Sequence, residues 1–92
     1  MSEAEIPSPC SFCKSIVEKA IGGMPSDLTC GAASAAIGAA IAAAGEGNPL
    51  SDVAGAVAAV IIEKECDKYG WPWVKDHKKD VAEAICKAAK LC

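Results

Sequence analysis

The chain has 92 residues, six of them cysteine, and its nine lysines, absence of arginine and twelve acids give a net charge of −3. A chain this short forms one domain with a modest core, so covalent crosslinks weigh heavily in its stability. The charge balance excludes a nucleic-acid binder, which needs a clustered basic surface with arginine. One histidine and no glycine-rich phosphate loop leave no nucleophile and base pair on which to build an enzyme.

In chain order, residues 1–7 are polar and acidic and read as a flexible extension ahead of a single domain over 8–92. They lack the basic and apolar regions of a leader, so a mature form with an added start methionine is expected. A first helix is predicted over about 8–21, where Cys10, Cys13, Val17, Ala20 and Ile21 recur at helical spacing on one face. "GGMPS" then ends it, because glycine adopts positive φ freely and proline cannot continue a helix. The second helix is predicted from Ser26 or Asp27, either a competent N-cap, to about Ala44. It is rich in alanine, with Ile37 and Ile41 as large apolar groups and Ser34, Gly38 and Ala42 at a spacing that lets another helix approach closely.

After "GEGNP", a third helix is predicted to start beyond Ser51 and to run to Tyr69, with Val53, Val57, Val60, Ile61, Ile62 and Cys66 in a broad apolar stripe. "YGWP" places a glycine after that helix and a proline at the head of the next, predicted over Pro72–Lys90. No segment alternates with the period of a strand. The expected fold is all-α, a compact bundle of four helices, or five, closed by disulfides.

The six cysteines, Cys10, Cys13, Cys30, Cys66, Cys86 and Cys92, are an even count in a small chain, which points to three disulfides and an oxidising compartment: secreted, or a lysosomal or granule vesicle. If the first and last helices lie antiparallel, Cys10 meets Cys92 and Cys13 meets Cys86. Cys30 and Cys66 then come together at the base of a hairpin turning at "GEGNP". Six cysteines allow many other connectivities, which spacing alone leaves open. A redox role for "CSFC" would want a βαβ context that is missing, and a four-thiolate metal site from Cys10, Cys13, Cys86 and Cys92 explains no more than two disulfides do. No cofactor or metal is expected.

A C-x2-C opening an amphipathic first helix and a C-x5-C ending an apolar last one, as in "AEAICKAAKLC", resemble the saposin-like proteins, the closing stretch most of all their amoebapore branch. The resemblance covers about residues 8–21 and 81–92. It implies a helical domain closed by nested disulfides between its ends, with Cys10, Cys13, Cys86 and Cys92 in the outer positions, and an action on lipids: pore formation and antimicrobial killing, lipid binding or transfer. The middle departs from the pattern, since thirty-five residues separate Cys30 from Cys66 where the family's third and fourth cysteines lie close together.

The residues themselves carry lipid features. Residues 28–62 hold only two charged side chains, Glu46 and Asp52, so a neutral hairpin offers Ile37, Ile41, Val57, Val60 and Ile61 to lipid, or packs them into a core. Trp71 and Trp73 flank Pro72 beside Tyr69, where indole rings suit a membrane interface or plug the bundle end. Lys75, Lys78, Lys79, Lys87 and Lys90 are placed to attract anionic headgroups, though Asp76, Asp80 and Glu83 are interleaved. An imidazole gains charge in the acidic range, which makes His77 the candidate pH switch. The expected function is a membrane-interacting protein that binds or permeabilises anionic phospholipid membranes, assembling there as a homo-oligomer and favoured by acidic pH. The alternative is a secreted disulfide-stapled module that binds a protein partner as a toxin or signal would.

Overall fold

The computed structural model describes residues 8–45 and 49–92, so the expected extension over 1–7 and the centre of the "GEGNP" turn lie outside the described residues. The described chain is all-α, with helices α1 (Pro9–Gly22), α2 (Cys30–Ala44), α3 (Pro49–Tyr69), α4 (Trp71–Asp76) and α5 (Lys78–Ala88). Three disulfides close it: Cys10–Cys92, Cys13–Cys86 and Cys30–Cys66.

The element boundaries follow local chemistry, and three of them differ from the sequence expectation. Helix α1 is capped by Ser8, whose Oγ accepts the Ser11 N–H. Helix α2 is capped by Thr29 instead of Ser26 or Asp27, its Oγ1 accepting the Ala32 N–H at 3.2 Å. Residues 23–29 are thereby left to span from α1 to the hairpin. Helix α3 begins at Pro49, whose fixed φ suits a first turn. Ser51 is therefore no cap. It is buried, and its hydroxyl donates to the Ile41 carbonyl at 2.7 Å, fastening α3 to the end of α2.

The expected last helix is two helices, divided at His77. His77 has φ −110° and ψ 31°. Its backbone N–H reaches the carbonyls of both Trp73 and Val74, and its Nδ1–H also donates to Trp73 O at 2.9 Å. A side chain that competes for a helical carbonyl ends the regular ladder. The turn into α4 needs Gly70, which sits at φ 99°.

Helices α2 and α3 form an antiparallel hairpin pinned by Cys30–Cys66 at one end and by Ser51 and Ile41 at the other. Midway the two backbones touch, since a methyl built on Gly38 would stand 3.0 Å from the Gly55 carbonyl oxygen. Helices α1 and α5 form an antiparallel outer pair held by the other two disulfides. Between hairpin and pair lies one core, in which Val17 and Ile21 of α1, Ile37 and Ile41 of α2, Ile62 of α3, Val74 of α4 and Ile85 of α5 are all buried.

The chain's last turn explains how Cys92 reaches Cys10. Lys90 N donates to Lys87 O and Leu91 N to Cys86 O, a Schellman turn that reverses the chain past α5. Such a turn wants a residue with positive φ, normally glycine. Here Lys90 takes it, at φ 65°.

Candidate functional site

The core consumes part of the surface that the sequence offers to lipid. Ile37 and Ile41 are buried against α1 and α3, and Trp71 is 3% exposed, so none of the three faces outward in this conformation. Trp71 is a structural plug: its indole N–H donates to Pro25 O at 2.6 Å, tying α4 to the segment that joins α1 to α2. Lys75, one turn on, donates to Met24 O of the same segment, and the Lys78 ammonium lies against Gly22. These two lysines are drawn toward the carbonyl end of α1, where a cation complements the helix dipole. Lys87 pairs with Glu83 at 3.4 Å on an exposed face, and Lys79 and Lys90 are exposed.

What remains outside is concentrated on α3. Its core side presents Ser51, Ala54, Gly55, Ala58, Ile62 and Cys66. A second stripe, formed by Leu50, Val53, Val57, Val60 and Ile61, recurs at spacings of three and four away from that side. Val60 is 56% exposed, Val53 47% and Leu50 39%, while Val57 and Ile61 are half-buried at the stripe's inner edge. Across the hairpin, the outward positions of α2 are Ala32, Ala35, Ala39 and Ala43. Among the described residues, the hairpin's outer surface thus carries a single charge, Asp52, as far as Ile62, and Glu63, Lys64, Glu65, Asp67 and Lys68 follow toward the end of α3. Valine is a poorer helix former than alanine by roughly 0.5 kcal/mol, and at an exposed position it recovers nothing by burial. Val53 and Val60 therefore weaken α3 slightly without serving the core.

Tyr69, Trp73 and His77, spaced four apart across the α3–α4 junction, stack into a ladder with successive ring centroids 4.1 Å apart. Lys68 lies 5.3 Å from the Tyr69 ring centroid, a cation–π approach at the ladder's end. Trp73 is half-buried within this stack and Tyr69 is exposed. The i, i+4 spacing of the three rings carries this signal in the sequence, where Tyr69, Trp73 and His77 stood out separately and not as a stack.

The sequence reading also passed over Phe12 and Ile16, which lie beside the core face of α1 and are half-buried. Together with Ile41, Leu50, Ala54 and Leu91 they wall a small apolar cleft at one end of the bundle.

All six cysteines are committed to disulfides, so no thiolate is left for redox or metal chemistry. Among the described residues no cluster of histidine, cysteine and carboxylates is placed to hold a metal, and no helix is long and apolar enough to cross a membrane. No disulfide joins the hairpin to the outer pair. No family model matches the chain, and neither any curated protein nor any solved structure matches it.

Proposed function

We propose that this is a secreted or vesicular protein that binds lipid surfaces, a saposin-like membrane-active protein that attaches to or permeabilises anionic membranes as pH falls. The exposed valine stripe of α3 carries this reading. It is an apolar band on the part of the hairpin, residues 49–62, whose one charged side chain is Asp52, and Val53 and Val60 stand clear of the core. Its side chains would lie in the headgroup and acyl boundary as an interfacial helix does, and no helix needs to span the bilayer. The nested pairing of Cys10 with Cys92 and Cys13 with Cys86 supports the saposin-like resemblance.

The net charge of −3 opposes anionic headgroups at neutral pH, and with a pI of about 5.0 the chain becomes cationic below that value. Lys79, Lys87 and Lys90 on and just past α5 then attract the membrane at about 1 kcal/mol each when near the surface. Ile37 and Ile41 join the contact only where the hairpin separates from the outer pair, a movement that no disulfide forbids.

Co-sedimentation with phosphatidylglycerol vesicles at pH 4.5 and 7.5 tests the proposal. Binding is expected at pH 4.5, weakened at least tenfold at 7.5, and lost at both in Val60→Asp, an exposed change that leaves the core intact. A wild-type protein that stays in the supernatant at both pH values overturns it and favours a stapled module that binds a protein partner.

A further inference from the structure

A groove of about 480 Å³ runs along the seam between α1 and α2. Phe12, Ile16 and Ala20, one turn apart on α1, form one wall, and Ala40 and Ala44 of α2 form the other. The groove exists because of a mismatch in size. The large residues of α2, Ile37 and Ile41, turn into the core, so α2 shows this seam only methyl groups, too small to fill the space beside Phe12 and Ile16. Its volume falls within the range of small-molecule sites. From Phe12 to Ala20 it follows α1 for about 12 Å, taking 1.5 Å of rise per residue, which suits an extended acyl chain of medium length.

Among the described residues, the polar residues of this groove are Ser15 and Lys19, and no carboxylate lines it. Lys19 is exposed and has no ion-pair partner among the described residues. The groove on the other side of α1 differs: Ser11, Lys14, Ser15, Glu18, Lys79, Asp80 and Glu83 line it, and their three carboxylates would repel an anion. One flank of α1 thus pairs an apolar trough with an unopposed cation.

We infer that the α1–α2 groove binds a single-chain amphiphile with an anionic head, a medium-chain fatty acid, with the chain along Phe12, Ile16 and Ala40 and the carboxylate at Lys19. This rests on the lipid-binding reading for the class of ligand, but places a monomeric ligand along α1 and α2, in a groove that none of the exposed valines of α3 lines.

Titration of 15N-labelled protein with decanoate below its micellar range tests it. Saturable shifts are expected in the amides of residues 12–20 and 40–44. Ala40→Leu, which fills the trough, should weaken binding at least tenfold, and Ala44→Leu, at an exposed position near the helix end, serves if Ala40→Leu does not fold. Lys19→Gln should weaken decanoate binding severalfold, and decanol should bind wild type about as weakly as decanoate binds that variant. Shifts that never saturate, or that fall on α3, overturn the groove, and equal binding of decanoate by wild type and Lys19→Gln overturns the head-group assignment. Vesicle co-sedimentation of Ala40→Leu should match wild type, so loss of vesicle binding and loss of decanoate binding are read independently.

Discussion

Gly55 meets Gly38 backbone to backbone: a methyl group added to Gly55 would stand 2.7 Å from the Gly38 carbonyl oxygen, closer than a carbon atom tolerates. In a solvated helix Gly→Ala stabilises by about 1 kcal/mol. Here the clash is with backbone, which no rotamer change relieves, and overpacking costs about 1–3 kcal/mol. Gly55→Ala should therefore lower the stability of the fold, read as a lower denaturation midpoint in guanidinium. An unchanged or higher midpoint would show that α2 and α3 part easily.

Ser51 and Ile41 hold the other end of the hairpin. Ser51→Ala removes a buried hydroxyl whose hydrogen bond to Ile41 O measures 2.7 Å. A loss of about 1–2 kcal/mol is expected in urea unfolding. Gly45→Ala should be worse, because its methyl would overlap the Ser51 side chain.

Lys90 occupies the left-handed position of the Schellman turn at φ 65°. Glycine takes that conformation without the Cβ penalty, so Lys90→Gly should raise stability by about 1 kcal/mol, seen as a higher Tm. A fall would mean that the lysine side chain contributes more than its backbone costs.

Cys30–Cys66 closes the hairpin with a sequence separation of 36 residues. Replacing both cysteines by alanine should destabilise the protein by about 3–4 kcal/mol on the chain-entropy model. Because the outer disulfides are untouched, limited proteolysis of this variant should cut first within the hairpin and leave α1 joined to α5.

Trp71 and Val60 separate structure from contact. Trp71→Phe keeps an aromatic ring in the core but removes the N–H that holds Pro25 and part of the buried indole, at about 1–3 kcal/mol. Hydrogen exchange in residues 23–29 should quicken while vesicle binding stays as in wild type. Weaker vesicle binding by Trp71→Phe would place this tryptophan at the membrane.

The chain's sequence, taken alone, determined the helical class, the positions of the breaks at Gly22–Gly23, Gly45 and Gly70, and the scarcity of charge over residues 28–62. These are local properties: glycine and proline act on their own backbone, and charge is counted residue by residue. The cysteine pairing was nearly legible too, since antiparallel neighbours leave few ways to bring six thiols together, yet it depended on which helices pack side by side. Cap choice was not legible. Ser26, Asp27, Thr29 and Ser51 are all competent caps, and the packing of Cys30 on Cys66 and of Ser51 on Ile41 selected among them.

Only the tertiary structure decided which apolar and cationic residues serve the surface. Ile37, Ile41 and Trp71 look as suited to lipid as Val60 does, because hydrophobicity has no direction until a neighbouring helix takes one face of each. Lys75 and Lys78 turn to the end of α1 for the same reason, since Met24 and Gly22, which they approach, lie more than fifty residues earlier in the chain. The trough beside Phe12 also arises this way, from two helices whose facing side chains differ in size.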